Sequence, residues 1–195
     1  MIQECTETDL DKVLKGEMDD ITPEIPAVKG NAVDDLIEGG LGSNSKIFTD
    51  NPFDEVGNLK SNVKYQTGEF KYNYETDVNG RISNWNTDNL QLTKRTERLK
   101  HNPNTPGKVA GDHSGHLAGD RFGGSPNLDN LVSQLENVNL SQYKKIENQW
   151  ANAIKNRKQV TVNVDVIYDG VNLRSTGFNV EYTIDFQCFS KYILN

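Results

Sequence analysis

Apolar residues occupy every second position from Val160 to Val166, and the same rhythm returns at Phe178, Val180, Tyr182, Ile184 and Phe186. A period of two puts alternate side chains on one face of an extended chain, so each stretch reads as a strand with one buried face. Asp169 and Gly170 lie between them as a turn signal, which predicts an antiparallel hairpin running as far as Phe186. No other feature restricts the fold as much, because a sheet with one apolar face must have something apolar laid over it. The segment just upstream can supply that cover. Leu140, Tyr143, Ile146, Trp150 and Ile154 recur at steps of three and four, the spacing of an amphipathic helix, with Asn139 or Ser141 as its cap. Phe70, Tyr72 and Tyr74 alternate ahead of a turn at Asp77 to Gly80 and the run Arg81 to Trp85, which predicts a second hairpin. Leu128 to Leu135 reads as a short helix, and residues 91–111 as a basic loop broken by prolines. Strands, loop, helix and strands in that order define an α+β chain.

Charge divides the sequence. Residues 1–60 hold 14 acidic and 5 basic residues, a balance of -9, and residues 61–195 hold 14 and 16, a balance of +2, which together make the net -7. The excess of acid therefore does not bar the C-terminal part from meeting a polyanion. Leu10, Val13 and Leu14, and then Ala32, Val33, Leu36 and Ile37, have helical spacing. They are separated by ITPEIPAVKGN and followed by GGLGSNS, both linker-like. We therefore expect an acidic, partly ordered leader over 1–60 and a folded domain over 61–195. Docking of Ile47, Phe48 or Phe53 onto the sheet is the alternative for the end of the leader. No apolar run is long enough to cross a membrane, and the first residues lack the pattern of a signal peptide. Cys5 and Cys188 show no metal spacing and are expected as unpaired thiols.

All three histidines, His101, His113 and His116, fall in one stretch, KHNPNTPGKVAGDHSGHLAGDRFGG, together with Lys100, Lys108, Arg121, Asp112, Asp120 and six glycines. Imidazole titrates near neutrality and is the commonest general base. Cations supply phosphate contacts, and glycine lets backbone approach a ligand closely. This stretch is the candidate site. A zinc centre fits it poorly: His113 and His116 are three apart with Asp112 adjacent, but no HExxH or cysteine pair supplies a third ligand at a fixed position.

The run GDHSGHLAGDRFGGSPNLDNLVSQLENVNLSQYKKIENQWANAIK resembles the DNA/RNA non-specific endonuclease family, and more closely its branch at the C-termini of LXG-type polymorphic toxins. The resemblance covers about residues 61–195 and is most specific over 111–151. It implies a twisted antiparallel sheet carrying a ββα-metal (His-Me) finger and a few helices. It also implies His116 as general base, Asn139 as the ligand of a Mg2+ ion (other divalent cations being compatible), and Glu147 as support for the metal's water shell. Asn139 and Glu147 are eight residues apart, ~12 Å of rise and roughly 80° of rotation on a helix, so both can border one cleft. Read alone, Asn139 is a helix cap, Glu147 a solvated carboxylate, and Tyr143 and Trp150 core. Arg95, Arg98, Lys108 and Arg121 are candidate phosphate contacts. Arg121 is equally suited to pinning Asp120 or Asp112, and Asp112 is expected to orient the signature loop. His101 and His113 are expected at the surface. Many relatives carry arginine where this chain has Ser114, so that phosphate contact is not carried over.

The resemblance further implies hydrolysis of DNA, RNA or both without regard to sequence, secretion from a Gram-positive bacterium, action in a competitor's cytoplasm, and an immunity protein in the producer. A catalytically inactive module that keeps the fold and binds nucleic acid or a partner is the alternative, with Ser114 as its support.

Overall fold

The computed structural model describes residues 46–195. The expected helices near Leu10 and Ala32, and Cys5, lie outside them. Seven strands form the main sheet: β1 (Ile47–Phe48), β2 (Val63–Thr67), β3 (Tyr72–Thr76), β4 (Ile82–Thr87), β7 (Val160–Tyr168), β8 (Ser175–Ile184) and β9 (Gln187–Leu194), in that spatial order. Among the described strands only β1 and β2 run parallel. Between β4 and β7 the chain leaves the sheet to make a two-stranded hairpin, β5 (Asp112–His116) and β6 (Leu131–Leu135), and then helix α1 (Tyr143–Lys155).

The period-two segments are strands, as expected. β7 buries Val160, Val162, Val164 and Val166, and β8 buries Phe178, Val180 and Tyr182. The cover is α1, whose inner face carries Tyr143, Ile146, Trp150 and Ala153. Trp150 lies at the centre of the core, with ring centroids 6.2 Å from Trp85, 6.0 Å from Phe122, 6.2 Å from Tyr143 and 5.7 Å from Tyr182. Such edge-to-face contacts add about 0.5–1.5 kcal/mol each beyond the area they bury. The Asp77 to Gly80 turn joins β3 to β4, and Asp77 Oδ1 accepts from the amides of Asn79 and Arg81.

Four expectations differ from the structure. Leu128 to Leu135 is not a helix: Leu131–Leu135 is β6, paired with β5. It is buried on both faces over its first four residues, and an apolar run covered on both sides cannot be told from a helix by spacing. Leu140 does not join the helical stripe and is 51% exposed. The chain makes a π-turn over Val138–Gln142, and its extra residue rotates the stripe so that Val138 is buried instead. Phe186 does not extend β8. It lies 81% exposed in a two-residue turn with Asp185, both at positive φ, and the chain returns as β9, which the sequence reading did not foresee. The folded body also begins ahead of residue 60. β1 pairs with β2, and Lys46 Nζ is 2.7 Å from Glu75. Ile47 and Phe48 themselves remain 74% and 57% exposed, so the alternative of a buried aromatic plug does not describe them.

Candidate active site

His116 closes β5, and the strand's register places it opposite Leu131. Its side chain is buried, and Nε2 has no hydrogen-bond partner among the described residues. Removal from water disfavours the imidazolium, and His101 and Arg98 disfavour it further against a weaker opposing pull from Asp120, so its pKa falls to about 4. At neutral pH the ring is an unprotonated base. Gly115, just before it, lies against the buried side chain of Gln134, and a Cβ there would overlap that side chain. This is a physical reason for glycine at that point of the signature.

The residue that faces Glu147 is Gly119, where a Cβ would overlap Oε1. Glu147 projects from the second turn of α1 toward Gly119. Half-buried and with no hydrogen bond to its carboxylate among the described residues, it is pushed up to about 7 by desolvation, although Arg121, Lys144 and Arg98 pull the other way. Arg98 thus acts on both His116 and Glu147. Its side chain is exposed and makes no hydrogen bond or ion pair among the described residues. Arg121 is also exposed. It donates to Asn148 Oδ1 at 2.6 Å rather than to Asp120 or Asp112.

Asn139 lies in the π-turn, not at the cap of a regular helix. Its amide nitrogen is 3.2 Å from His113 Nδ1, and its oxygen has no partner among the described residues. His113 projects from the opposite face of β5 to His116, and its Nε2 is 3.9 Å from Glu136. It is only half-exposed, and it orients Asn139 rather than standing free at the surface. Asp112 is held by a two-pronged pair, Arg174 Nε to Oδ2 and Nη2 to Oδ1, each 2.8 Å. The guanidinium holds this carboxyl below the usual range. Arg174 also reaches the carbonyls of Ser175 and Asn195, so one side chain ties the finger to β8 and the end of β9.

Lys108 donates to Pro103 O at 2.8 Å and to the Ser114 hydroxyl at 3.2 Å, which places a cation beside Ser114. Arg95 is already neutralised. It pairs with Glu69 at 3.3 Å and Asp120 at 3.2 Å, and it is a clamp on the basic loop more than an open phosphate contact.

Two residues escaped the sequence reading. Asn130 is wholly buried and makes four hydrogen bonds: its oxygen accepts from Tyr74 Oη and the Ala118 amide, and its nitrogen donates to the carbonyls of Ala118 and Ser125. Asp129 accepts from Ser125 Oγ and Thr67 Oγ1. Together they lock the segment after His116 to the sheet. Asparagine in a Ser-Pro-Asn-Leu-Asp-Asn run looks like any loop asparagine, and nothing local marks it.

Among the described residues no three His, Cys, Asp or Glu side chains are grouped to hold a metal. The available donors are oxygens, the Asn139 amide and the Glu147 carboxylate. That set fits a magnesium ion that keeps most of its waters and takes one or two protein oxygens.

A finger that presents a buried, unprotonated imidazole is equipment for a hydrolase that activates water. The profile of the DNA/RNA non-specific endonuclease family matches residues 61–186, and the chain belongs to that family and is a nuclease. The Type VII secretion system protein EssD of Staphylococcus aureus strain USA300 is 36% identical over 146 residues, and the match covers 70% of this chain. EssD of strain NCTC 8325 matches equally. The chain spans about a quarter of the length of these relatives, 24%. In fold, NucA from Streptococcus agalactiae with magnesium bound superposes at a TM-score of 0.55 and 19% identity, over 71% of this chain and 75% of that one. Its metal-free form gives 0.53 and 19%, over 75% and 76%.

Proposed function

We propose that the chain is a magnesium-dependent endonuclease that hydrolyses the phosphodiester bonds of DNA, RNA or both without sequence preference. The observation that carries the reading is His116, a buried and unprotonated imidazole at the tip of the finger. A phosphodiester is anionic and its leaving alkoxide is poor, so hydrolysis needs an activated water and positive charge at the phosphate. His116 takes the proton from the water, with Nδ1 as the accepting atom because Nε2 is sealed from solvent. The hydroxide adds to phosphorus, the bond to the 3′ oxygen breaks, the departing oxygen takes a proton from solvent water to become a 3′ hydroxyl, and a 5′ phosphate remains. Arg98, Arg121 and Lys108 lie within the surrounding segments as phosphate contacts. Asn139 would hold the magnesium and Glu147 one of its waters, and the ion supplies charge stabilisation at the phosphate and the leaving oxygen. None of these groups reads a base edge, which accounts for the lack of sequence preference.

Its relatives are secretion-system proteins, and we place this chain among exported antibacterial toxins that act in a target cell's cytoplasm and are countered in the producer by an immunity protein. Plasmid DNA and total RNA incubated with the protein, with magnesium and with EDTA, test the chemistry. A folded protein that degrades neither in magnesium would leave the reading as a non-catalytic binding module. Killing of susceptible cells on cytoplasmic expression, and its relief by a neighbouring gene product, test the biology.

A further inference from the structure

We propose that His101 is a positioning residue for the general base, its ring set against His116 so that the buried imidazole is held open to the attacking water. The proposal rests on the reading of His116 as base. The sequence offered no reason to separate His101 from an ordinary surface histidine. The fold brings its ring centroid to 5.0 Å from that of His116, with the planes at 69°.

His116 needs such a neighbour. A histidine base is ordinarily oriented by a hydrogen bond on its second ring nitrogen. Here Nε2 is buried and unpartnered among the described residues, so ring packing is left to fix the orientation. His101 is itself fixed on both sides. The Leu99 amide donates to Asp120 Oδ1 at 3.2 Å, and the Asn102 amide donates to Pro126 O at 2.9 Å. Upstream, the Thr93 amide donates to Arg121 O at 3.0 Å, and Arg95 bridges Glu69 and Asp120. The basic loop is thus tied at several points to the turn that follows His116, and His101 is where it meets the base.

The contact is also electrostatic. His116 faces His101, Arg98 and Asp120, and His101 faces Arg98, Lys108 and Asp120. Burial and the cations outweigh Asp120 at both rings, and a proton on either imidazole opposes one on the other. The arrangement keeps His116 a base.

Two variants separate the roles. His101→Ala removes the ring, and His101→Phe keeps a flat ring without nitrogen. We expect His101→Ala to lose about ten- to a hundred-fold in kcat, the scale of a misplaced reacting group, with KM unchanged. We expect His101→Phe to recover most of that loss. Wild-type kcat in His101→Ala overturns the proposal. Equal loss in both variants also overturns it, because the nitrogen and not the ring would then be needed, and so does a loss confined to KM, which marks a substrate contact. Ring resonances of His116 followed by NMR against pH give a readout independent of cleavage. The titration midpoint should rise in His101→Ala, and an unmoved midpoint counts against the proposal. If wild type does not cut nucleic acid, the nuclease reading fails while the NMR comparison still decides the ring contact.

Discussion

Replacing Glu147 with glutamine should stabilise the protein, and the stabilisation should depend on pH. The carboxyl sits at about 7 against an ordinary 4.5, chiefly from desolvation. At about 1.4 kcal/mol per unit, that difference is on the order of 3 kcal/mol, an upper figure because water still screens a half-buried group. The folded pKa is raised, so the folded chain holds a proton that the unfolded chain has released between pH 4.5 and about 7. The contribution of Glu147 is therefore fully present below 4.5 and is lost as pH rises through 7. Glutamine has nearly the same shape and never ionises. Relative to wild type, the variant should gain stability from pH 4.5 to 8 by up to a few kcal/mol. His116 works in the other direction, with its folded pKa depressed to about 4, so its stability is present above 6.5 and falls away toward 4. That effect is common to both proteins and cancels in the difference. Urea unfolding in EDTA at several pH values measures it. A difference that does not change with pH, or a variant less stable at pH 8, would refute the desolvation argument.

His116→Ala should lower turnover by about 10²- to 10⁴-fold with the fold intact, as for removal of one general base; circular dichroism and a cleavage assay on the same sample check this. Asn139→Ala should move the magnesium dependence of the rate to higher concentrations, and a curve that overlays wild type would reduce Asn139 to the partner of His113. Arg174→Ala leaves the fully buried Asp112 carboxylate unpaired, at a cost of about 3–5 kcal/mol, read as a lowered midpoint in urea. The fragment 46–195 should fold and cut as the full chain does, or faster at low salt where the acidic leader's repulsion is least screened. Cutting on to 61–195 removes β1 and the Lys46–Glu75 pair and should lower Tm by several degrees, for a loss of roughly 1 kcal/mol.

The strands at Val160 to Val166 and Phe178 to Ile184 and the inner face of α1 were legible because periodicity reports which side of an element is buried. The stretch around His116 stood out in the sequence because imidazoles, cations and glycines are gathered there. β6 was not, since burial on both faces erases the period. Nor was the end of β8: Asp185 and Phe186 turn at positive φ without the glycine or asparagine that ordinarily marks such a turn.

By itself, the sequence determined the strand and helix faces, the charge break near residue 60 and the stretch in which the three histidines gather. Only the tertiary structure decided what each of those faces and charges meets. Arg174 lies 62 residues from Asp112, Tyr74 lies 56 from Asn130, and His101 lies across a pinned loop from His116. Arg95 looks as available for phosphate as Arg98 until Glu69 and Asp120 are placed beside it. The physical reason is common to all of them. Local spacing sets which groups leave water, but the protonation state and orientation of a buried group depend on partners that chain closure brings from elsewhere.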